Sequence, residues 1–196
     1  MNARLECAVN AIDEANAHDP NLESTGGGKD SPAALLYGRR MTMWLERLRP
    51  DASDELEIAA RGQHIRRWEI PRSDFPMDKA GYHKWRTTLY GFHADRIEEI
   101  MRKCGYDDAT IERARSIVQK KRLKSDPDAQ TLEDAAALVF LEFHAAEFAA
   151  RPDMTEEKLV DIVRKTWAKM SPAGQEAARH LSLQAGVADL VAKALC

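Results

Sequence analysis

The sequence predicts an all-α protein, a single compact helical array over residues 1–196 with about eight or nine helices joined by short connections. Three observations point there. Ala, Leu, Glu, Arg and Lys, which cost a helix least, dominate the composition, and no run rich in Val, Ile, Thr, Tyr and Phe interrupts them. Apolar residues recur every three or four positions, the period of a helix burying one face, and no strand-like alternation stands out. Proline, glycine and short polar clusters then cut the pattern into helix-length pieces.

Leu5, Val9, Ile12 and Ala15 set a first helix over residues 2–17, ended before Asp19-Pro20-Asn21. Residues 22–31 carry Gly26, Gly27 and Gly28 beside Lys29 and are expected to form a flexible Gly-rich loop. Their spacing departs from that of a phosphate loop, and no strand precedes them. Pro32 opens the next helix, with Leu35, Leu36, Met41, Trp44, Leu45 and Leu48 on its apolar side, and Pro50 closes it. A helix over 54–68 follows, with caps in Ser53-Asp54-Glu55 and capping-box spacing between Asp54 and Glu57. Pro71 and Pro76 make 69–80 irregular. A long helix over 81–103 ends at Gly105, and another runs from Asp107 or Asp108 to Arg122, before Asp126-Pro127-Asp128. The stretch 130–150 is the most apolar, with Leu132, Leu138, Val139, Leu141 and Phe148. Thr155 caps a helix carrying Leu159, Ile162, Val163 and Trp167, and Ser171-Pro172 caps and opens another.

Charge narrows the function classes. With 29 basic and 32 acidic residues the formal net charge is -3, which argues against a protein built to coat nucleic acid or an anionic membrane. No stretch of about 18 apolar residues exists, and the N-terminus lacks the pattern of a signal peptide. Cys7, Cys104 and Cys196 are few and widely spaced, so they read as reduced thiols of a cytoplasmic protein rather than a disulfide framework or zinc finger.

Polar residues on apolar stripes single out a site. Leu56, Ala60, His64 and Trp68 are four apart, as are Trp85, Leu89, His93 and Ile97. Asp134 shares a face with Leu138 and Leu141, and Lys121 follows Ile111, Ala114 and Val118. Burying such groups costs several kcal/mol unless they pair or bind something. Each alone reads equally as a hydrogen-bonded core residue. Together, His64, His93 and Asp134 on separate inward faces suggest one shared polar cavity.

Around His64, Arg61, Gln63, Arg66, Arg67, Arg72, Lys84 and Arg86 lie close in sequence to Trp68, Tyr82 and Trp85. Guanidinium forks bind oxyanions and stack on rings, so this composition suits phosphate, carboxylate or a nucleobase. A solvated basic face paired with Glu57, Glu69, Asp74 and Asp78 fits the same residues. Elsewhere the chemistry is thin: His144 and Glu147 do not form a zinc-protease helix, and no Gly-x-Ser-x-Gly elbow occurs.

His64 at the end of a small-residue helix, then His93-Ala94, then Leu132-Glu133-Asp134-Ala135, resembles the HD-domain superfamily of metal-dependent phosphohydrolases. The resemblance implies an HD-like helical array. It places His64 and Asp134 at metal-ligand positions and His93 at an accessory one, but Ile65 stands where the metal-binding aspartate belongs. The upstream ligand falls near Arg39 or Arg40, and Lys120 or Lys121 replaces a further histidine. A longer resemblance covers nearly the whole chain. Leu36-Tyr37-Gly38-Arg39-Arg40-Met41, Ala59-Ala60-Arg61-Gly62-Gln63-His64-Ile65-Arg66-Arg67-Trp68-Glu69-Ile70-Pro71-Arg72 and Leu132-Glu133-Asp134 are similar to the family called domain of unknown function 4202.

On this reading the chain is a degenerate HD-like domain that binds a small anionic, phosphate- or nucleotide-like ligand and is open to a hydrolytic role. Arg40, Arg61, Arg67 and Lys121 would neutralise charge, and Gln63, Arg72 and Arg86 would also bind the ligand. His64 and His93 would orient the ligand, Trp68 or Trp85 would stack on it, and His64 with Asp134 would serve as base and orienter. One rival keeps a divalent metal ion on His64, His93 and Asp134, as a reduced phosphohydrolase or an oxygenase. Another is a noncatalytic interaction module whose basic stretch docks an acidic partner.

Overall fold

Asn2 opens the first helix by accepting the Leu5 amide on its side-chain oxygen, and α1 (Ala3–Asn16) buries Leu5, Ala8 and Ile12 on one side. In this computed structural model, which describes residues 2–24, 30–152, 154–183 and 185–195, nine more α-helices follow. They are α2 (Ala33–Leu48), α3 (Asp54–Arg61), α4 (Lys79–Lys103), α5 (Asp108–Val118), α6 (Pro127–Val139), α7 (Ala145–Ala149), α8 (Glu156–Trp167), α9 (Pro172–Arg179) and α10 (Ala185–Leu195). The all-α architecture is as the sequence predicts. Ser53, Thr155 and Ser171 cap α3, α8 and α9 as expected, while Asp54 instead takes hydrogen bonds from Asn2 and Tyr106.

Where α1 ends, the chain does something unforeseen. Residues 22–31 are not simply a loop: β1 (Leu22–Ser24) pairs antiparallel with β2 (Asp30–Pro32), Leu22 opposite Pro32. The buried Asp19 carboxylate ties the base, accepting from the Asn21 and Ala34 amides. The glycines and Lys29 fall in residues 25–29, outside the described residues.

The helix expected over 54–68 stops at Arg61. Gly62 is the reason it can pack there: a β-carbon on it would lie 2.9 Å from the Ile97 side chain of α4. The chain then turns through Arg66, held at φ 50° while its amide donates to the Asn16 side-chain oxygen of α1. Short 3-10 turns at Arg67–Glu69 and Arg72–Asp74 lead to α4. The row Leu56, Ala60, His64 and Trp68 is therefore broken: Leu56 and Ala60 enter the core, while His64 and Trp68 face different spaces.

One hydrophobic cluster joins α1 to α6 and α9, centred on Ile12, Met41, Leu45, Leu56, Ile97, Met101, Ile111 and Leu138. The apolar stretch 130–150 runs as α6, a π-helical segment at Phe140–His144 and α7. Trp44 of α2 donates its indole N–H to Glu142 within that segment at 2.7 Å. The thiol reading needs correction: Cys7 of α1 and Cys104 after α4 are disulfide-bonded, and Cys196 lies outside the described residues. Their 97-residue separation hid a pairing that only the packing of α1 on α4 creates. Among the described residues no helix is long and apolar enough to cross a membrane.

Candidate functional site

A cavity of about 220 Å³ opens among α2, the turn after α3, α4, α6 and the end of α8. One face of α4 forms a wall, because Tyr82, Arg86, Tyr90 and His93 recur at steps of four, four and three. The turn after α3 contributes Gln63, His64 and Arg67, and α2 contributes Tyr37.

His93 is 2% exposed. Its Nδ1 lies 2.9 Å from the Ile65 carbonyl, which can only accept, so Nδ1 carries the proton and Nε2 is left as an acceptor. Nε2 is buried with no partner among the described residues. Burial, then the Arg67 charge, presses the His93 pKa down to about 3, with the Ile65 carbonyl pulling the other way. His64 stacks on Tyr37 with centroids 3.9 Å apart and lies 6.0 Å from His93. Burial, then Arg67, His93, Lys120 and His144, holds it well below the usual imidazole range. Both rings are neutral near pH 7.

The charged groups are unevenly matched. Arg67 lies over the Trp85 ring, 4.5 Å from its centroid, and burial lowers its pKa. Arg86 donates to the Tyr90 hydroxyl at 2.5 Å and approaches the Tyr82 hydroxyl at 3.4 Å. Neither arginine has a carboxylate partner among the described residues. Lys120, in a left-handed conformation at φ 54°, pairs with Glu133 of α6. Burial opposes ionisation of Glu133, but Lys120, with Lys169 and Arg86 further off, holds the carboxyl below its ordinary pKa. Lys169 stands at the rim. The cavity thus has four cationic side chains, Arg67, Arg86, Lys120 and Lys169, against one carboxylate, Glu133.

Of the expected residues, the cavity gathers His64, His93, Gln63, Arg67 and Arg86, with Trp85 behind Arg67. The rest are placed elsewhere. Arg61 is bidentate to Asp13 of α1, both contacts 2.6 Å, because the end of α3 faces α1. Arg40 pairs with Glu23 at 2.5 Å and covers the Phe143 ring. Arg72 donates to the carbonyls of Phe75, Pro76 and Asp78, fastening the irregular segment. Trp68 lines a separate groove of about 640 Å³ beside the disulfide, and Lys121 is exposed near Glu112.

Asp134 does not line the cavity. It accepts the Ser171 amide at 2.8 Å, the Ser171 hydroxyl at 2.5 Å and the Gln130 amide at 3.0 Å, so it anchors the start of α9. That corrects the metal set of His64, His93 and Asp134. Among the described residues no three His, Cys, Asp or Glu side chains are gathered to hold a metal ion. Sequence reasoning passed over Tyr37, Tyr90, Lys169 and Thr166 as lining residues. The spacing on α4 offered a signal for Tyr90; no local pattern announced the others.

Chemically, the arrangement offers charged and hydroxyl donors, two neutral imidazoles and an amide that is unengaged among the described residues. No curated protein and no solved structure matches the chain. The model of one family, however, covers almost its whole length, matching residues 6–191, and the chain belongs to that family, described as Domain of unknown function (DUF4202).

Proposed function

We propose that the protein is a degenerate HD-like helical domain that binds a small anionic, phosphate- or nucleotide-like ligand in the cavity around His64. One observation carries the reading. Two guanidinium groups, Arg67 and Arg86, face the cavity with no carboxylate paired to them among the described residues, and burial lowers the Arg67 pKa. A cation drawn out of water costs several kcal/mol unless an anion meets it. Arg40 and Arg61 meet carboxylates and Arg72 meets carbonyls, whereas Arg86 meets only the Tyr82 and Tyr90 hydroxyls and Arg67 lies on the Trp85 ring, which leaves both guanidinium charges to a ligand. At about 220 Å³ the cavity falls below the range of roughly 300–1,000 Å³ typical of sites for drug-sized molecules, which favours a compact anion.

A hydrolytic use of the same pocket would fall to His64. Its imidazole is neutral and lines the cavity, so it can accept a proton from an attacking water, while the burial that lowers its pKa weakens it as a base. Asp134, committed to Ser171, does not join His64 in the cavity.

Thermal unfolding with and without inorganic phosphate tests the binding reading. Saturating phosphate raises the melting temperature of the native chain, by about 2.7 kcal/mol of stabilisation at one hundred times Kd. Arg67→Met retains an aliphatic stem on Trp85, folds within about 1 kcal/mol of the native chain and loses the response. An unchanged phosphate response in that variant would show that the anion site is elsewhere.

A further inference from the structure

The cavity offers more than charge. We propose that its ligand is a phosphorylated polyol, a compact sugar phosphate whose phosphate meets Arg67 and Arg86 and whose hydroxyls donate to His93 and Gln63. The inference rests on the anion-binding reading above and adds the class of molecule.

The acceptors come first. His93 is 2% exposed and has its Nδ1 proton committed to Ile65, so Nε2 is the atom it can offer. Gln63 is 8% exposed and its side-chain amide has no hydrogen bond among the described residues. Its Oε1, like His93 Nε2, is a buried atom without a partner among the described residues. Buried acceptors are nearly always satisfied, and here both belong to residues that line one cavity. A ligand that fits must therefore carry donors as well as negative charge.

Those donors are hydroxyls rather than ammonium groups. Arg67, Arg86, Lys120 and Lys169 already outnumber Glu133, so an added cation would be repelled where a neutral O–H is not.

The rings argue against a nucleobase. Stacking needs an open aromatic face; Phe140 packs on Phe148 at 76°, and the nearby tyrosines and Trp85 are engaged. Arg67 covers Trp85, Tyr37 lies against His64, and Arg86 lies 5.9 Å from the Tyr82 centroid and 5.5 Å from that of Tyr90. Polar recognition on two sides of a small cavity suits a polyol phosphate better than a planar base.

Calorimetric titration of the full chain with four probes tests this: ribose 5-phosphate, propyl phosphate, inorganic phosphate and adenosine monophosphate. Ribose 5-phosphate is expected to bind at least about tenfold tighter than propyl phosphate, which has the charge without the hydroxyls. Adenosine monophosphate should bind no tighter than ribose 5-phosphate. In Gln63→Leu, which replaces an unpaired buried amide by an apolar group of similar size, melting should hold or rise. The preference in that variant should shrink to about threefold or less, with propyl phosphate affinity retained. Equal affinities of the native chain for ribose 5-phosphate and propyl phosphate would overturn the polyol inference and leave anion binding standing. A preference of about tenfold for adenosine monophosphate would overturn it in favour of a nucleotide. Failure of all four probes to bind would remove both readings.

Discussion

The rings of Tyr37 and His64 lie face to face, 3.9 Å between centroids and 16° from parallel. Tyr37 belongs to α2 and His64 to the turn after α3, so this stack fixes the histidine across two elements. Tyr37→Ala should cost about 3 kcal/mol and free the imidazole to rotate, whereas Tyr37→Phe keeps the stack and stays within about 1 kcal/mol. Urea denaturation gives the stabilities, and the His64 ring proton shifts report the stack. Equal losses in both variants would place the contribution in the hydroxyl instead.

Acid should unfold this protein earlier than its carboxylates alone require. His93 is held to about 3 and His64 well below its ordinary range, while both sit near 6.5 in an unfolded chain. Within that window the unfolded chain takes up protons that the folded one refuses, so stability rises with pH and is lost on acidification. Above pH 6.5 the contribution is constant. Between pH 6.5 and pH 5 His93 alone should remove about 2 kcal/mol, and His64→Gln should shed one proton from the slope. A melting temperature unchanged across that interval contradicts the assignment of neutral histidines.

Arg61 and Asp13 form a bidentate pair with side chains 11% and 21% exposed. Arg61→Ala leaves Asp13 without its main partner and should cost about 2–3 kcal/mol. Because Arg61 does not line the cavity, the affinity for any phosphate ligand should remain within about twofold of native. Stability and affinity measured on the same sample separate the two effects; a tenfold loss of affinity at unchanged stability would return Arg61 to the site.

Gly174 on α9 is pinned against Asp134, whose carboxylate carbon a β-carbon there would approach to 2.6 Å. Gly174→Ala must push α9 away from the carboxylate that anchors it, at a cost of about 1–3 kcal/mol. Asp134→Ala loses the Ser171 and Gln130 hydrogen bonds and should cost about as much. The double variant should cost less than the sum, since both disturb one contact. Strict additivity in chemical denaturation would mean that the two residues act independently.

The Cys7–Cys104 bridge closes a loop of 97 residues in sequence. On the chain-entropy account such a bridge contributes about 5 kcal/mol, a large share of an ordinary domain's stability. Reductant should lower the melting temperature of the native chain and leave Cys7→Ser unmoved. Identical melting with and without reductant would remove the bridge from the stability of the fold.

Local physics was legible in the sequence and tertiary pairing was not. Helix periods and caps at Ser53, Thr155 and Ser171 depend on a few neighbours, and they recur in the structure. The end of α3 was not legible, because Gly62 sits within an otherwise helical pattern and only the approach of Ile97 makes it a boundary. The arginines around His64 are alike in sequence, yet Arg61 answers to Asp13 and Arg72 to carbonyls, while Arg67 reaches the cavity. Asp134 looked like a ligand because it is buried among apolar residues; its partner Ser171 lies 37 residues further on. Lys120 owes its direction to a left-handed backbone that no residue type announces.

The cavity has a further consequence for how the protein is made. Its walls come from residues as far apart as Tyr37 and Lys169, with Gln63, Arg86 and Glu133 between them. Residues 63–93 carry half of its lining, Arg67, Arg86 and His93 among them, but Tyr37 precedes that stretch and Glu133 and Lys169 follow it, so the cavity is complete only after Lys169 has cleared the exit tunnel and its carbonyl has met Gln130 of α6. Full ligand affinity is therefore a late event of synthesis, reached when the last wall arrives.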